Sequence, residues 1–530
     1  MSTILGLAVN FHDSNLALVK DGTLCEVVEV ERLSRVKKMR ATELMSYLVP
    51  LLRRHGLAVS DLDAVATCLH GGLVTDCEWR FPSLYPQPLE SVDTGVVEGT
   101  VRIGEDTVRA YAVHHHLAHG ALAAFAAPFP FATVVSFDGG GDEDSFTVFD
   151  FTGERLELQQ SFRINLGVLF SLSGEKLFGM ERRTAAGKLM AYAALGQPRE
   201  AYSRALHNVI EREESSPYER TDLWGVLSRS LGAREDEYQA DSVDARDLAA
   251  SIQLVFEEAL LATLDNVQKR DNLCLTGGCA LNCVANTRVF AHTGSMPYVS
   301  PMADDGGIAA GAAIFVSGQL WRAPPACDAI PFVGRAYAFD GSIEHQNGLR
   351  STYVGDAFAD IVAQRIAAGA IYALIDGRSE CGPRALGHRS LVADPRRHDL
   401  VDFLNSAVKG REWYRPFAPA VLAGRAEELF DGPVNELMSF SSRIRHPDLL
   451  PAIAHVDGSA RVQAVSGSRA PSLAAILASF EQLTGLPVLL NTSLNGPNEP
   501  ICDAPDHALA LLATRPIDGL VCDGWLIERV

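Results

Sequence analysis

The chain has 530 residues, more than one hydrophobic core usually supports, so two or more domains are expected. It is 47% hydrophobic and 21% charged, a balance typical of a globular protein, and its 46 basic and 66 acidic residues give a formal net charge of −20. So acidic a chain excludes the broad basic surface that coats a nucleic acid, although local basic pockets for small phosphates remain open. We therefore expect no nucleic-acid partner.

Membrane and secretion patterns are also absent from the sequence. The most apolar stretches, 121–137 and 306–316, are too short to span a bilayer, and Asp13 interrupts the apolar start. The ten cysteines are scattered, and the three that cluster at 274–283 have no matching Cys/His pair to complete a zinc site. These patterns predict a cytoplasmic protein with reduced cysteines and no membrane partner.

The first 30 residues alternate apolar runs with turns, which predicts a β-meander. Apolar runs at 4–9, 16–19 and 24–30 are separated by a polar turn and by the Asp21-Gly22 hairpin turn. The polar turn presents Asn10 and His12 between the first two strands.

Helical and strand patterns then alternate along the chain. Helical spacing indicates helices at 41–54, 117–127, 244–270, 306–316 and 359–368, and apolar runs indicate strands at 131–137, 273–275 and 370–374. The stretch 322–340 is rich in Pro and Gly and has no periodicity, which favours a domain boundary there. We expect one domain at 1–325 and a second at 340–530.

Two histidines and a carboxylate form a candidate metal site. His115 and His119 stand four residues apart in a stretch expected to be helical, so both imidazoles would share one face. Asp138 ends an apolar strand and could supply an oxygen ligand. Such a set suits a divalent transition metal with open positions, which indicates chemistry rather than a structural metal. A chance pair of surface histidines is the alternative.

Three turns in the first half of the chain lie at strand ends, where backbone groups could bind phosphate. They lie at 10–14, 138–142 and 277–282, and the last two contain glycine pairs. Glycines let backbone N–H groups approach phosphate oxygens, and a helix N-terminus adds a favourable dipole. Each turn alone fits an ordinary chain reversal, but together, after a β-meander, they resemble the actin/hexokinase-type nucleotide fold.

A further acidic pair, Asp304-Asp305, precedes a helix of small residues. Asp304 could be another metal oxygen, and a helix N-cap is the equal alternative.

Arg and Lys gather in the second half, which is unusual in so acidic a chain. They lie beside Gly, Pro and hydroxyl residues in the motifs 377–390, 409–417, 455–461 and 491–495. Arg binds phosphate bidentately, and each charge-assisted hydrogen bond contributes roughly 1.5–3 kcal/mol. The pattern predicts a phosphate-handling site, with surface salt bridges as the alternative.

Taken in order, these motifs resemble the O-carbamoyltransferase family, which includes nodulation and antibiotic-tailoring enzymes. The matching motifs span nearly the whole chain and lie at 10–13, 31–32, 115–119, 138–139, 187–190, 277–282, 382–390, 415–419, 457–463 and 491–495. The resemblance implies an α/β protein in two parts. The N-terminal domain would be of actin/hexokinase type, similar to the threonylcarbamoyl-transfer proteins of tRNA modification, and the C-terminal domain would be a YrdC-like α/β domain.

The family reaction is an ATP-dependent carbamoyl transfer. Carbamoyl phosphate and ATP give carbamoyladenylate in the C-terminal domain, and the carbamoyl group passes to a hydroxyl of a small-molecule acceptor in the N-terminal domain, as in antibiotic biosynthesis. The expected cofactors are a divalent metal, ferrous iron in the family, and Mg²⁺ with ATP. A homodimer is left open.

The resemblance also implies roles for individual residues. The metal ligands would be His115, His119, Asp138 and Asp304, although the adjacent Asp305 could replace Asp304. The catalytic residues would be His12, as the base, and Asn10, and a structural turn histidine is the alternative for His12. The nucleotide-binding residues of the N-terminal domain would be Gly139, Gly140, Lys188, Gly277, Gly278 and Asn282. The carbamoyl phosphate and ATP site of the C-terminal domain would comprise Arg384, Lys409, Arg415, Arg461, Asn491 and Ser493.

Two other functions remain as alternatives. A small-molecule kinase of actin/hexokinase fold would use ATP in the first domain only, and would release ADP rather than AMP and pyrophosphate. A tRNA threonylcarbamoyl-transfer enzyme is a related possibility, which the net charge of −20 disfavours.

Overall fold

A computed structural model describes the chain except for residues 1, 10–11, 71, 83–88, 94, 142–145, 163, 165, 214–241, 323–325 and 344–347. Asn10, predicted to be catalytic together with His12, is thus outside the described residues. The chain forms two compact units. The first unit comprises Met1–Val30 and Lys38–Ile330, and the second comprises Glu31–Lys37 and Pro331–Val530. The sequence did not predict that Glu31–Lys37 belongs to the second unit.

The first sheet of the first unit opens with the predicted β-meander. Its described strands are β1 Thr3–Ala8, β2 Asn15–Lys20, β3 Thr23–Glu29, β4 Ala64–Thr67, β5 Glu78–Arg80, β6 Val96–Ile103 and β7 Asp106–Val113, in the order β3-β2-β1-β4-β7-β6-β5. The neighbours β1, β2 and β3 are antiparallel, whereas β4 is parallel to both β1 and β7. Asp21 and Gly22 both have positive φ (48° and 82°), as a two-residue hairpin turn requires.

A second sheet has the same connectivity as the part β3-β2-β1-β4-β7 of the first sheet. Its described strands are β8 Ala132–Phe137, β9 Phe146–Phe151, β10 Leu156–Phe162, β11 Leu273–Thr276 and β12 Tyr298–Val299, in the order β10-β9-β8-β11-β12. Again an antiparallel meander is followed by two strands parallel to its first strand. Two copies of this order form an actin/hexokinase-type core, so the predicted α/β fold class is confirmed.

Helices alternate with these strands along the chain. Those of the first 330 residues are α1 Val30–Ser34, α2 Met45–Arg54, α3 His115–Ala126, α4 Leu166–Phe178, α5 Arg182–Ala193, α6 Glu200–Glu213, α7 Val243–Asp265, α8 Cys283–Thr293 and α9 Ile308–Phe315. The helix predicted at 244–270 ends at Asp265, because the polar run that follows has little apolar surface to bury. Within the described ranges, no helix is both long and apolar enough to cross a membrane.

Small residues let α9 approach its neighbours closely. A Cβ added to Gly311 would lie 2.0 Å from the carbonyl oxygen of Ala118 on α3. A Cβ added to Gly6 on β1 would lie 2.0 Å from the carbonyl oxygen of Ala309. Backbone contacts this close require glycine, and they fix α9 against both α3 and β1.

The second unit is built on a mixed eight-stranded sheet among its described residues. In spatial order its strands are β13 Leu349–Tyr353, β23 Trp525–Arg529, β22 Gly519–Cys522, β14 Tyr372–Ile375, β15 Arg389–Ala393, β21 Val488–Ser493, β16 Ala418–Leu422 and β20 Gln463–Val465. A small sheet contains β17 Phe430–Asp431, β18 Ser442–Ile444 and β19 Ser459–Ala460. The helices are α10 Phe358–Ala367, α11 Leu400–Phe403, α12 Ala426–Leu429, α13 Pro471–Thr484 and α14 Pro505–Thr514.

Both faces of this large sheet are buried. Along β14, Ala373 and Ile375 belong to one hydrophobic core, whereas Tyr372 and Leu374 belong to another on the opposite face. A strand buried on both faces has a continuous apolar sequence, and β14 shows this pattern.

Candidate active site

The first unit buries a cluster of two histidines and two carboxylates, which we call the metal cluster. The Nε2 atoms of His115 and His119 lie 3.3 and 3.2 Å from Oδ2 of Asp138, and both lie 3.7 Å from Oδ1 of Asp305. One ligand atom from each residue lies within 4.8 Å of the others. Two imidazoles and two carboxylates fit a first-row transition metal better than Ca²⁺ or Mg²⁺, which prefer oxygen ligands alone.

Three elements assemble this cluster. Helix α3 places His115 and His119 one turn apart on a single face, and Asp138 directly follows β8. Asp305 begins the short 3-10 turn Asp305–Gly307 that leads into α9. The close packing of α9 on α3 therefore sets the distances between the histidines and Asp305.

Asn15, on β2, holds the acidic turn in place. Its side-chain amide donates to the carbonyl oxygen of Asp305 (2.8 Å), and its side-chain oxygen accepts the N–H of Ala309 (2.9 Å). Asn15 is fully buried, so both bonds are shielded from water. Sequence reasoning missed this residue, because nothing local links a strand asparagine to a turn almost 300 residues away.

Of the two adjacent aspartates that the sequence left open as ligands, the metal cluster contains Asp305 and not Asp304. The backbone is extended at Asp304 (φ −80°, ψ −179°), and successive side chains of an extended segment point to opposite sides. Asp305 therefore turns toward the histidines, whereas Oδ2 of Asp304 lies 3.6 Å from Nζ of Lys38. Asp304 occupies the N-cap position of the 3-10 turn, but its side chain makes no capping bond.

Buried charges in the metal cluster stabilise one another. Burial opposes ionisation of Asp138, but hydrogen bonds from His115 and His119 outweigh it and hold the pKa of Asp138 well below its usual value. Burial alone would lower the pKa of His119, whereas its bonds to Asp138 and Asp305 raise it to about 9. A cation bound here would therefore compete with a proton on His119.

His12 lies at the edge of the metal cluster. Its Nδ1 is 2.7 Å from Oδ2 of Asp13 and 3.8 Å from Oδ2 of Asp305. Burial lowers the pKa of His12, but the bond to Asp13 and the charge of Asp305 prevail and raise it to about 9. Lys38 donates to the same Asp13 carboxylate, and its charge helps to hold the pKa of Asp13 at about 2 against the effect of burial.

The predicted glycine turns lie side by side, because β8 and β11 are parallel neighbours. A Cβ at Gly277 would lie 2.2 Å from the carbonyl oxygen of Phe137, and Gly277 has a φ of +86°. A Cβ at Gly278 would lie 2.8 Å from Oδ1 of Asp138, which also accepts the N–H of Gly139 (2.6 Å). The two turns thus meet at the carboxylate of the metal cluster.

The other residues predicted to bind nucleotide are placed differently. A Cβ at Gly140 would lie 3.7 Å from Nε2 of His70. Asn282 caps α8 by accepting the N–H of Ala285 (3.1 Å), and its amide pairs with Gln253 on α7. Lys188 is half-buried on α5. Asn282 therefore has a local structural role.

Strand register brings the basic motifs of the second unit to one edge of its sheet. β15, β21, β16 and β20 are consecutive. Ser390 at the start of β15 pairs with Ser493 at the end of the antiparallel β21, and Ala418 at the start of β16 pairs with Asn491. Since β20 is parallel to β16, its start lies at this edge too. We call this the basic edge, defined by Arg384, Lys409, Arg415, Arg461 and Ser493.

Lys409 is the most deeply buried cation of the basic edge. It ends the π-helical turn Leu404–Lys409, and its Nζ donates to the carbonyl oxygen and hydroxyl of Ser493 and to both oxygens of Asn495. All four acceptors are uncharged. Burial, and then repulsion from Arg411, hold the pKa of Lys409 well below its usual value. An entering anion would relieve this unfavourable charge.

The remaining predicted residues of the second unit have different settings. The Arg415 side chain is 31% exposed and lies 3.7 Å from Glu412. Arg384 and Arg461 are half-buried in the segments that precede β15 and β20. The Asn491 amide donates to Gln463 (2.7 Å) and to the carbonyl oxygen of Ala385 (3.2 Å), which joins two of the motifs.

Sequence reasoning assigned no role to Arg411 or Asn495, although both lie in the basic motifs. Arg411 donates to Oδ1 of Asn405 (2.6 Å) and lies over the ring of Phe417, 4.2 Å from its centroid. Asn405 in turn donates to the carbonyl oxygens of Trp413 and Arg415. These bonds hold the loop between Lys409 and Arg415.

Residues 96–314 match the family model described as the carbamoyltransferase N-terminus, and residues 363–529 match the one described as the carbamoyltransferase C-terminus. The chain therefore belongs to the carbamoyltransferase family and is an enzyme of this type, which confirms the resemblance seen in the sequence motifs.

Nodulation proteins are among its relatives. The nodulation protein NolNO of Sinorhizobium fredii is 31% identical over 98% of this chain and 79% of its own length. NolO of Bradyrhizobium diazoefficiens is 34% identical over 79% of each chain. The nodulation protein U of Rhizobium tropici is 29% identical over 98% of this chain and 95% of its own length.

Proposed function

We propose that the protein is an ATP-dependent O-carbamoyltransferase. It would form carbamoyladenylate from carbamoyl phosphate and ATP, and transfer the carbamoyl group to a hydroxyl of a small-molecule natural product. The observation that carries this proposal is the basic edge, where a buried lysine bonded to uncharged oxygens lies among arginines. Because an uncompensated buried cation is costly, such a site is suited to phosphate groups.

The first step belongs to the second unit. Carbamoyl phosphate is hydrolysed to carbamate and phosphate, and a carbamate oxygen then attacks the α-phosphorus of ATP as pyrophosphate leaves. Adenylation is needed because carbamate is a poor electrophile without a good leaving group. Lys409, Arg384, Arg415 and Arg461 would bind the phosphate groups and stabilise the negative charge that develops on them.

The second step belongs to the first unit. The acceptor hydroxyl attacks the carbamoyl carbon and loses its proton, while the bond to AMP breaks. His12 would take that proton at its free ring nitrogen, Nε2, since its Nδ1 faces Asp13. Asp13, itself bonded to Lys38, would fix the orientation of the ring.

The metal cluster fits a divalent cation, which we propose to be ferrous iron, and Mg²⁺ would accompany ATP. His115, His119, Asp138 and Asp305 would hold the cation, whose chemistry when bound is that of a Lewis acid for a phosphate oxygen. His12 acts as a base only when neutral, and its bond to Asp13 and then the charge of Asp305 favour its protonated form. Engagement of Asp305 as a ligand would reduce the second of these effects.

A product analysis tests this function directly. Purified protein is incubated with ATP, carbamoyl phosphate, ferrous iron and a panel of alcohols that includes sugars and macrocyclic natural products. We expect AMP and pyrophosphate, and an acceptor whose mass has increased by one carbamoyl group. Omission of carbamoyl phosphate should abolish both signals.

Two outcomes would contradict the proposal. ADP with a phosphorylated acceptor would indicate a kinase. AMP formation that does not depend on carbamoyl phosphate would indicate a different adenylating enzyme. Arg397→Ala serves as a control, because Arg397 lies away from the basic motifs and pairs with exposed Asp399.

A further inference from the structure

The segment Glu31–Lys37 belongs to the second unit, although the residues on either side of it belong to the first. It contains the 31–32 motif, to which the proposed reaction gives no role. Two of its side chains, Arg32 and Arg35, bind a loop that carries Arg384 and a loop that contacts Lys409 through Asn495.

Arg32 binds the loop between β14 and β15. Its side chain is almost completely buried (3% exposed), and its two terminal nitrogens donate to the carbonyl oxygens of Glu380 and Gly382 (2.8 Å to Gly382). Two residues further along the same loop is Arg384 of the basic edge. Because the guanidinium is a rigid fork, a bidentate contact fixes the position of both carbonyls together.

Arg35 binds the loop that follows β21. Its terminal nitrogens donate to the carbonyl oxygens of Ile501 (2.8 Å) and Pro500 (2.9 Å). The carbonyl oxygen of the preceding residue, Glu499, accepts from the amide of Asn495 (2.8 Å), and the Oδ1 of that amide accepts from Lys409 (2.8 Å). A short chain of bonds thus connects Arg35 to the buried lysine.

The backbone supports a role beyond simple attachment of this segment. Arg35 has a φ of +59°, in the left-handed region that residues other than glycine seldom adopt. Such a conformation persists only where the surroundings impose it, and strained residues are concentrated at functional sites. The strain is consistent with a segment shaped to reach two separate loops.

We propose that Arg32 and Arg35 are positioning residues of the basic edge. Arg32 holds the loop of Arg384, and Arg35 holds the loop that supports Lys409, so the segment Glu31–Lys37 completes the anion site of the second unit. This inference rests on the proposed function for the identity of the anion, carbamoyl phosphate, but the loop contacts themselves do not depend on it.

The test uses the full chain with Arg32→Ala, Arg32→Lys, Arg35→Ala and a control, Arg350→Ala, on the exposed strand β13. Backbone hydrogen exchange is followed by mass spectrometry. We expect Arg32→Ala to accelerate exchange mainly at 380–388 and Arg35→Ala mainly at 494–502, with no change in the control. Equal exchange in all variants, or acceleration spread over the whole unit, would overturn the proposal.

Binding and kinetics provide the second measurement. We expect Arg32→Ala to raise the KM for carbamoyl phosphate by about tenfold to a hundredfold, the loss anticipated for charged hydrogen bonds that position a site. Arg32→Lys should not restore it, since lysine keeps the charge but not the fork. Restoration by lysine would show that the charge alone matters and would overturn the positioning role.

The two proposals can fail separately. If the wild-type protein neither binds nor consumes carbamoyl phosphate, the proposed function fails, while hydrogen exchange still tests the loop contacts. If the wild type is active and Arg32→Ala has an unchanged KM, the positioning role fails alone. Should Arg32→Ala unfold, Arg32→Lys, which keeps the charge and the aliphatic stem, carries both measurements.

Discussion

Asp304 and Asp305 form a matched pair for testing the metal cluster. We expect Asp305→Asn to lower the metal content of the purified protein strongly, because Asp305 lies 3.7 Å from both histidines. Asp304→Asn should retain the metal, since its carboxylate faces Lys38. Elemental analysis after loading with ferrous iron gives the result. Equal loss in the two variants would contradict the placement of Asp305, and full occupancy in His119→Ala would contradict the site itself.

The local sequence could not choose between these two aspartates. Both precede the same small-residue helix, and either fits a ligand or a cap. The choice depends on the extended backbone at Asp304 and on the bonds from Asn15, which lies on a distant strand. The histidine pair, in contrast, was predictable from its four-residue spacing, because helical periodicity is a local property.

The buried charge of Lys409 should appear as proton uptake. Burial and Arg411 hold its pKa below the usual value, and a bound phosphate dianion favours the protonated form. Binding of inorganic phosphate should therefore take up a proton where free Lys409 is partly neutral, and affinity should fall as the pH rises above the lowered pKa of free Lys409. Calorimetry in buffers of different ionisation enthalpy measures the uptake. Lys409→Met should abolish it, and an unchanged uptake would exclude Lys409 as its source.

At the scale of elements, replacement of glycine by alanine should lower the stability of the protein in α9 and raise it in α5. Gly311→Ala places a Cβ 2.0 Å from the carbonyl oxygen of Ala118, so we expect α9 to shift and the protein to lose about 1–3 kcal/mol of stability. Gly187→Ala, in the interior of α5, has no atom within 4 Å of the new Cβ, and should gain up to about 1 kcal/mol from helix propensity.

Denaturant unfolding of both variants and the wild type measures the two changes. If Gly311→Ala were as stable as Gly187→Ala, the close approach of α9 to α3 would be wrong. Metal content offers a second check, because a shifted α9 would move Asp305 away from the histidines.

Elements formed by local pattern were predicted well, and those fixed by distant pairing were not. The β-meander and α3 follow from alternation, turn residues and helical spacing. The order β15-β21-β16-β20 could not be read from the sequence, because it pairs residues as distant in the chain as Ser390 and Ser493. That order is what gathers the basic motifs, so the sequence could identify the motifs but not their common edge.

At the scale of the whole molecule, the two units should separate the two half-reactions. His12→Ala should still support ATP–pyrophosphate exchange with carbamoyl phosphate, because the His12 side chain would act as a base only on the acceptor hydroxyl. Transfer to the acceptor should fall by about 10²–10⁴-fold. Lys409→Ala should lose both activities, because adenylation comes first.

Exchange and product mass are measured on the same preparations. Loss of exchange in His12→Ala would mean that His12 also serves adenylation. Retention of both activities would make His12 a structural turn residue, and the base would lie elsewhere.

The division of the second unit between Glu31–Lys37 and Pro331–Val530 also has a consequence for synthesis on the ribosome. Arg32 and Arg35 emerge early, but the carbonyls that accept their bonds lie about 350 and 470 residues later. At roughly 5–20 residues per second, about 20 to 70 seconds pass before the first of these partners is translated. During that interval the carbonyl oxygens that accept their bonds have not yet been made. The basic edge is therefore complete only when these late-translated loops have bound the segment Glu31–Lys37, which is translated much earlier.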